Sequence, residues 1–409
     1  MPLLRSGILF SVPLAFADPP RALLAENPAS GRGTLLLPQA RPIMLAVIDG
    51  LINVADFEQV AAEKLDAGVA GYFFGGAGDE LTLRENVAAW SGWRLRPRVL
   101  AGLGEWSARV ELLGEGVSMP VLVAPVAYQG FVDPDGEEAM ARAAAAEGTV
   151  MCLSSLATRA PRPVAEAAPG GRRWFQLYCF KDRGITRALI DEACECGYEA
   201  VVVTVDAPRG GNRERDRRTG FAIPEELGVP SAEAALGSDR AITIEETFEL
   251  MEPALSWSDL ESMASDCRVP LLVKGVQTGE DAGLAVEHGA AGIVVSNHGA
   301  RQLDRCLATA DVLPEAVDAV AGRVPVLVDG GIRRGVDVAI ALALGADAVL
   351  VGRPALWGLA VGGEAGARRV LQLLREELEL TLALCGCASP AELTRAHVQK
   401  APAASVYSV

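Results

Sequence analysis

The chain is expected to be an α/β protein whose parallel strands close into a (β/α)8 barrel. Three observations predict this. Short apolar runs recur at residues 121–124, 150–153, 174–178, 200–204, 270–273, 292–295, 325–328 and 348–351. Their length and β-branched content read as strands buried on both faces. Helix-like segments lie between most of them, such as 137–147, 186–196, 280–288, 313–321 and 336–344. Gly148, Gly197, Gly289, Gly322 and Gly345 follow these segments, as glycine does at helix C-termini. Finally, polar and charged residues gather where the apolar runs stop, the barrel end that carries chemistry.

At 409 residues the chain exceeds a typical domain but suits one large barrel with extensions. Half of it is hydrophobic, enough for a sizeable core. A net charge of −16 disfavours nucleic acid and anionic membrane surfaces as partners. An anionic ligand therefore requires a local cluster of Lys and Arg. The cysteines include Cys194-Glu-Cys196 and Cys385-Gly-Cys387, with no partner pair or His at zinc spacing. No metal site is expected; structural thiols in a reducing compartment are. No apolar run reaches membrane-spanning length, and a cytoplasmic location is expected. Arg5, an apolar stretch over 7–16 broken by Pro13, and Ala15-Phe-Ala17 form a weak signal-peptide pattern. Residues 1–43 are expected to be a disordered extension or an over-called translation start, and 44–409 one domain.

Periodicity begins near Asp56. Phe57, Val60, Ala61, Lys64 and Leu65 recur at helical spacing, with Asp56 as N-cap. A Gly-rich bend with aromatics is expected over 71–80, and Leu81 opens another helix. These N-terminal helices form a cap expected to close the bottom of the barrel and to contribute Tyr72. Residues 93–98 are expected to be extended, and the barrel proper starts near 120. From Asn212 to about Trp257 the chain leaves its period and is rich in charge, Ala, Gly and Pro. That stretch reads as a lid loop after strand four, less ordered than the barrel over 214–256. A long amphipathic helix over 364–384 follows the eighth run.

The run ends supply the candidate site. The first leads into Pro125, Val126 and Ala127, the second into Ser154. The third carries Gln176 and ends at Tyr178; the fourth gives Thr204 and Asp206, with Arg213 beyond. The fifth ends at Lys274, and the sixth gives Ser296, His298 and Arg301. The seventh gives Asp329, Gly330, Gly331 and Arg333, the eighth Gly352 and Arg353. Singly, each would more often be a cap or a salt-bridge residue, and a lone His a satisfied loop residue. Their accumulation at one barrel end reads as function. Gly330-Gly331 and Gly352-Arg353 let backbone N–H groups approach an anion, after the two strands that usually bear the phosphate site of this barrel. Arg333 and Arg353 add charge-assisted bonds. No strand opens into the Gly-rich turn of a dinucleotide fold, so a mononucleotide fits better.

Ser296-Asn-His-Gly-Ala-Arg-Gln302 resembles the active-site signature of the FMN-dependent α-hydroxy-acid oxidases and dehydrogenases, the group of glycolate oxidase, lactate oxidase and mandelate dehydrogenase. Order and spacing match from about Asp56 to about Ala396. The resemblance implies a TIM barrel with non-covalent FMN across its C-terminal mouth. It implies oxidation of an (S)-2-hydroxy acid to the 2-oxo acid, with O2 reoxidising the FMN to give hydrogen peroxide, and a homotetramer. His298 matches the base and Asp206 its carboxylate partner. Arg301 and Tyr72 match a clamp on the substrate carboxylate, Arg213 a second cation, and Tyr178 a residue near the substrate hydroxyl. Ala127, Ser154, Gln176, Thr204 and Lys274 match positions along the flavin ring. Pro125, Val126, Ser296, Asp329, Gly330, Gly331, Arg333, Gly352 and Arg353 complete the cofactor set. Lys274 is expected to stabilise charge on the reduced ring rather than to form a buried ion pair. Val126, Leu156, Phe73 and Gly75 stand where glycolate oxidases have Thr, a bulky aromatic, Tyr and Ser. These departures imply a roomier, more apolar side-chain pocket and disfavour glycolate. Two other readings stay open. One is a dehydrogenase of the same group serving a quinone or cytochrome, although the lid lacks an apolar insertion. The other is a non-redox barrel binding a phosphorylated ligand, which leaves His298, Arg301 and Asp206 unexplained.

Overall fold

The computed structural model describes residues 40–221, 227–237 and 244–402. The expectation for residues 1–43 falls almost wholly outside that set, as does the lid expectation at 222–226 and 238–243. The chain divides into two units, 1–44 and 45–409. All the elements that build the site belong to the second.

Eight strands alternate with eight helices: β1 (Val121–Val123), α1 (Gly136–Ala146), β2 (Val150–Ser154), α2 (Pro161–Ala167), β3 (Arg172–Leu177), α3 (Arg183–Glu195), β4 (Ala200–Thr204) and α4 (Trp257–Asp266). They continue with β5 (Leu271–Val276), α5 (Gly279–Glu287), β6 (Gly292–Val295), α6 (Thr309–Val320), β7 (Val326–Asp329), α7 (Gly335–Leu344), β8 (Ala348–Val351) and α8 (Arg353–Cys385). The strands are parallel and close in chain order, with β8 paired to β1. The predicted barrel is present.

Side chains alternate across each strand, and the inward set fills the bore. Leu122, Cys152, Trp174, Val202, Leu272, Val294, Leu327 and Leu350 belong to this packed core, none more than 1% exposed. The next inward position on each strand, two residues on, is Ala124, Ser154, Gln176, Thr204, Lys274, Ser296, Asp329 and Gly352. Apolar layers thus give way to a polar one at the C-terminal mouth.

The other end is closed in an unexpected way. Val110–Leu112 and Glu115–Val117 form an antiparallel hairpin. Leu113 and Gly114, at φ 52° and 80°, make its two-residue turn. Leu112 and Val117 join the barrel-core cluster, and the Gly116 carbonyl accepts from Arg172 at the start of β3, 3.0 Å. The hairpin therefore plugs the bottom, correcting the assignment of that task to the N-terminal helices. Those helices pack on the flank and mouth instead: Val54–Lys64 against α8, and Leu81–Ser91 against α6.

Two local expectations are also corrected. The N-cap of Val54–Lys64 is Asn53, whose side chain accepts from the Asp56 N–H. Asp56 lies one turn inside, where its charge still favours the helix N-terminus. Of the bend expected over 71–80, residues 71–74 are the end of helix Ala67–Phe74; the stretch from Gly75 turns. Residues 93–98 begin as expected, with Trp93–Leu95 pairing antiparallel to Val398–Lys400.

The long connection after β4 carries three short helices, Glu214–Thr219, Pro230–Leu236 and Ile244–Leu250. Val229 and Met251 in it are buried, anchors its composition did not reveal. Among the described residues, no helix is long and apolar enough to cross a membrane.

Candidate active site

The polar layer is internally bonded. Ser154 Oγ donates to Gln176 Oε1 at 3.1 Å, and Gln176 Nε2 to Thr204 Oγ1 at 3.0 Å. Lys274 Nζ donates to Ser296 Oγ at 2.9 Å and lies 3.1 Å from Asp329 Oδ2. Lys274 is therefore in a buried ion pair, contrary to expectation, while also lining the cavity above. Burial pulls its pKa down, but Asp329 and Asp206 outweigh that and hold it raised, so it is charged. Ser296 and Asp329 engage two of the ammonium's three donors and leave one for a ligand in the cavity it lines.

Beyond β6 the backbone makes a left-handed turn. His298, Gly299 and Ala300 have φ of 58°, 60° and 61°, a region L-residues avoid unless their surroundings enforce it. Ser296 Oγ accepts from His298 N at 3.0 Å, and Asn297 Oδ1 from Ala300 N at 3.1 Å. The turn sets His298 Nδ1 2.8 Å from Asp206 Oδ1 and Nε2 3.3 Å from the Tyr178 hydroxyl. Burial works to raise the Asp206 carboxyl; the His298 ring and the Lys274 cation outweigh it and keep it below the usual carboxylate range. Burial and the Asp206 charge push the Tyr178 phenol well up, so it stays protonated. Gly275, at φ 113°, makes room: a Cβ there would lie 2.7 Å from Asp206 Cβ.

Arg301 follows on the same loop. It donates to the carbonyls of Tyr72 and Gly75, and its guanidinium centre lies 4.7 Å from the Tyr72 ring centroid. Arg213 approaches the same ring at 5.2 Å, a spacing typical of cation–π contact. Burial and the neighbouring Arg213 lower the Arg301 pKa.

The loops after β7 and β8 gather further positive charge. Arg353 donates to the carbonyls of Phe73, Gly299 and Gly75 at 3.0, 3.0 and 2.7 Å. Burial, then Arg301 and Arg333, push its pKa down to about 9. Arg333 lies over the Trp357 ring at 4.7 Å. Burial lowers its pKa too, and Glu58 and Asp337 offset this only in part. Three buried guanidiniums, with Arg353 disfavoured by the other two, call for an anion. Gly330 and Gly331, at φ 94° and 82°, lie beside them. A phosphate-bearing ligand such as FMN fits this end of the site.

These groups share one cavity of about 1180 Å³, open solvent at its mouth included. That is room for a mononucleotide and a small acid. All the sequence-predicted site residues line it except two. Asp206 stands behind His298, and Ser296 beneath Lys274. Leu156, Val126 and Phe73 line it as well. So does Phe248, from helix Ile244–Leu250. Sequence reasoning missed Phe248, since its segment has no period to place it.

The profile of the FMN-dependent dehydrogenase family matches residues 61–400. Glycolate oxidase 3 of Oryza sativa subsp. indica is 48% identical over 354 residues, covering 85% of this chain and 96% of that protein. L-lactate oxidase of Nostoc sp. is 46% identical over 352 residues, covering 84% and 96%. A solved mandelate oxidase variant with (S)-mandelic acid superposes with a TM-score of 0.79 at 39% identity, covering 86% and 99%. With a family profile over most of its length and relatives near half identical, the chain belongs to the FMN-dependent dehydrogenase family.

Proposed function

We propose that residues 44–409 act as one FMN-binding unit that oxidises an (S)-2-hydroxy acid to its 2-oxo acid, with bound FMN taking up the two electrons and O2 as the final acceptor, giving hydrogen peroxide. The observation that carries it is the His298–Asp206 pair, 2.8 Å apart, opening onto the same cavity as Arg301. His298 Nε2 takes the substrate proton, and the ionised Asp206 favours the resulting imidazolium. Arg301, with Arg213 and Tyr72, binds the substrate carboxylate, for which a guanidinium fork is suited. Tyr178 stays protonated and donates near the substrate hydroxyl. Lys274 and the Ser154–Gln176–Thr204 chain face the flavin ring, while Arg333, Arg353 and the Gly330-Gly331 backbone hold its phosphate. Leu156, Phe248, Val126 and Phe73 bound the side-chain space and favour an apolar substituent over the hydrogen of glycolate. The relatives named as glycolate, lactate and mandelate oxidases support the chemistry.

The test is anaerobic flavin bleaching by glycolate, (S)-lactate, (S)-2-hydroxyhexanoate and (S)-mandelate, followed by admission of air. The acids with apolar side chains should bleach the flavin faster than glycolate, and air should restore its colour with one hydrogen peroxide per turnover. A flavoprotein that no hydroxy acid bleaches would remove the proposal; bleaching that only a quinone reverses would favour the dehydrogenase reading.

Arg301→Lys should raise the dissociation constant of the 2-oxo acid product by about 10- to 100-fold, from ~1.5–3 kcal/mol for a charged hydrogen bond. Perturbation of the flavin spectrum during titration measures it. Unchanged binding would exclude Arg301 from the clamp.

A further inference from the structure

Helix Leu81–Ser91 lies outside the barrel, yet its Asn86 is only 2% exposed. Its amide makes a reciprocal pair with Asn297. Asn86 Nδ2 donates to Asn297 Oδ1, and Asn297 Nδ2 to Asn86 Oδ1, each at 2.8 Å. Asn86 Oδ1 also accepts from Thr309 N at 3.3 Å. Thr309 Oγ1 in turn donates to the Asp329 carbonyl at 2.6 Å. One turn along, Trp90 Nε1 donates to the Gly330 carbonyl at 2.8 Å. A single helix face therefore fastens the loops after β6 and β7.

The β6 loop is the one that needs fastening. Asn297 Oδ1 holds Ala300 N, and Asn297 Nδ2 holds the Leu307 carbonyl at 3.1 Å. These bonds close the left-handed turn that carries His298. Such a turn persists only where its surroundings over-determine it. With both amide hydrogens and its oxygen engaged, Asn297 has one orientation. Asn86 supplies half of that constraint from outside the barrel. Asn86 itself does not line the cavity.

We propose that Asn86 is a positioning residue for proton transfer. It acts through Asn297 to hold the turn at His298–Ala300, and so the aim of His298 Nε2 into the cavity, an inference that rests on His298 being the base. Asn86→Ala removes both pair bonds and leaves the Asn297 amide held only by Ala300 N and the Leu307 carbonyl. Asn86→Asp keeps the acceptor for Asn297 Nδ2 and Thr309 N; burial against Asn297 Oδ1 favours its protonated form, which donates there as the amide did.

The experiment compares Asn86→Ala, Asn86→Asp, His298→Gln and the Asn86→Ala/His298→Gln double variant as FMN-loaded proteins. Four quantities are read: the limiting rate of anaerobic flavin reduction by the fastest acid of the panel, the dissociation constants of the 2-oxo acid and of FMN, and the melting temperature. Asn86→Ala should slow reduction about 10- to 100-fold, the scale of a misplaced catalytic group, with the FMN dissociation constant unchanged and that of the 2-oxo acid changed far less than the rate, because the Arg301 guanidinium keeps its own anchors on the Tyr72 and Gly75 carbonyls. Asn86→Asp should recover most of the rate. The double variant should be no slower than His298→Gln alone, because residues acting as one unit are not additive. A multiplicative loss in the double variant would overturn the proposal, and so would a loss confined to FMN affinity or melting temperature. Should Asn86→Ala fail to fold, Asn86→Ser takes its place with the same expected rates. Parent-rate reduction by His298→Gln would sink the base assignment itself. Slow His298→Gln with parent-rate Asn86→Ala would sink only the positioning role.

Discussion

His298→Gln is expected to keep FMN and substrate binding and to slow flavin reduction by roughly 10²–10⁴-fold, the usual contribution of general acid–base catalysis. Glutamine can occupy the space beside Asp206 and donate to it, but its amide does not accept a proton at neutral pH. The guanidiniums of Arg301, Arg333 and Arg353, proposed to bind the substrate carboxylate and the FMN phosphate, are untouched. The loss should therefore sit in the rate and not in affinity, as for an interaction made only in the transition state. Anaerobic stopped-flow reduction across a substrate series separates the two. Reduction at the parent rate would mean that some other group takes the proton.

Gly331→Ala should abolish tight FMN binding, with its dissociation constant raised about 100-fold or more, equivalent to ~2.7 kcal/mol. Two physical demands meet at this residue. Its φ of 82° lies in the left-handed region, and a Cβ would stand 1.8 Å from the Asn86 carbonyl oxygen. No rotamer relieves a backbone clash, so the loop after β7 must shift. Arg333, two residues on, would then leave its place over Trp357. Fluorescence titration of the apoprotein with FMN reads the change, and circular dichroism shows that the barrel persists. Parent-like affinity would place the phosphate elsewhere.

Much of this was legible in the sequence because a barrel strand has a strict period of two. Once the strands at Trp174 and Leu272 are recognised, Gln176 and Lys274 must face the same way two residues later. The Gly-rich loops after β7 and β8 carry their own signal. What stayed hidden depends on meetings across the bore. Lys274 and Asp329 lie on β5 and β7, which are not neighbours, and no local pattern announces their ion pair. The stretch over 71–80 reads as a bend because it holds Gly71, Gly75, Gly76 and Gly78, yet its first four residues are helical. In that helix Gly68 serves contact: a Cβ there would come within 3.2 Å of the Phe221 ring. The bottom hairpin escaped because its strands are three residues long and Leu113 occupies a turn position where Asn or Asp is the usual cue. Tyr72 is assigned only through family resemblance; Asp206 is marked by its strand end, but its pairing with His298 comes from the resemblance alone. Asn86 looked like an ordinary position on an outer helix, and its partner lies 211 residues away.

The hairpin at residues 110–117 has one more consequence. With the packed side chains that fill the bore above it, it leaves the barrel no entrance at the bottom. Whatever reaches the polar layer arrives by the mouth, and product leaves by the route through which substrate came. Traffic is thus governed by the rim alone, by helix Ala67–Phe74 and by the connection that bears Arg213 and Phe248. The two ends of the molecule are free to change under different demands: the plugged end answers to stability, and the rim to which acids enter and how soon they depart.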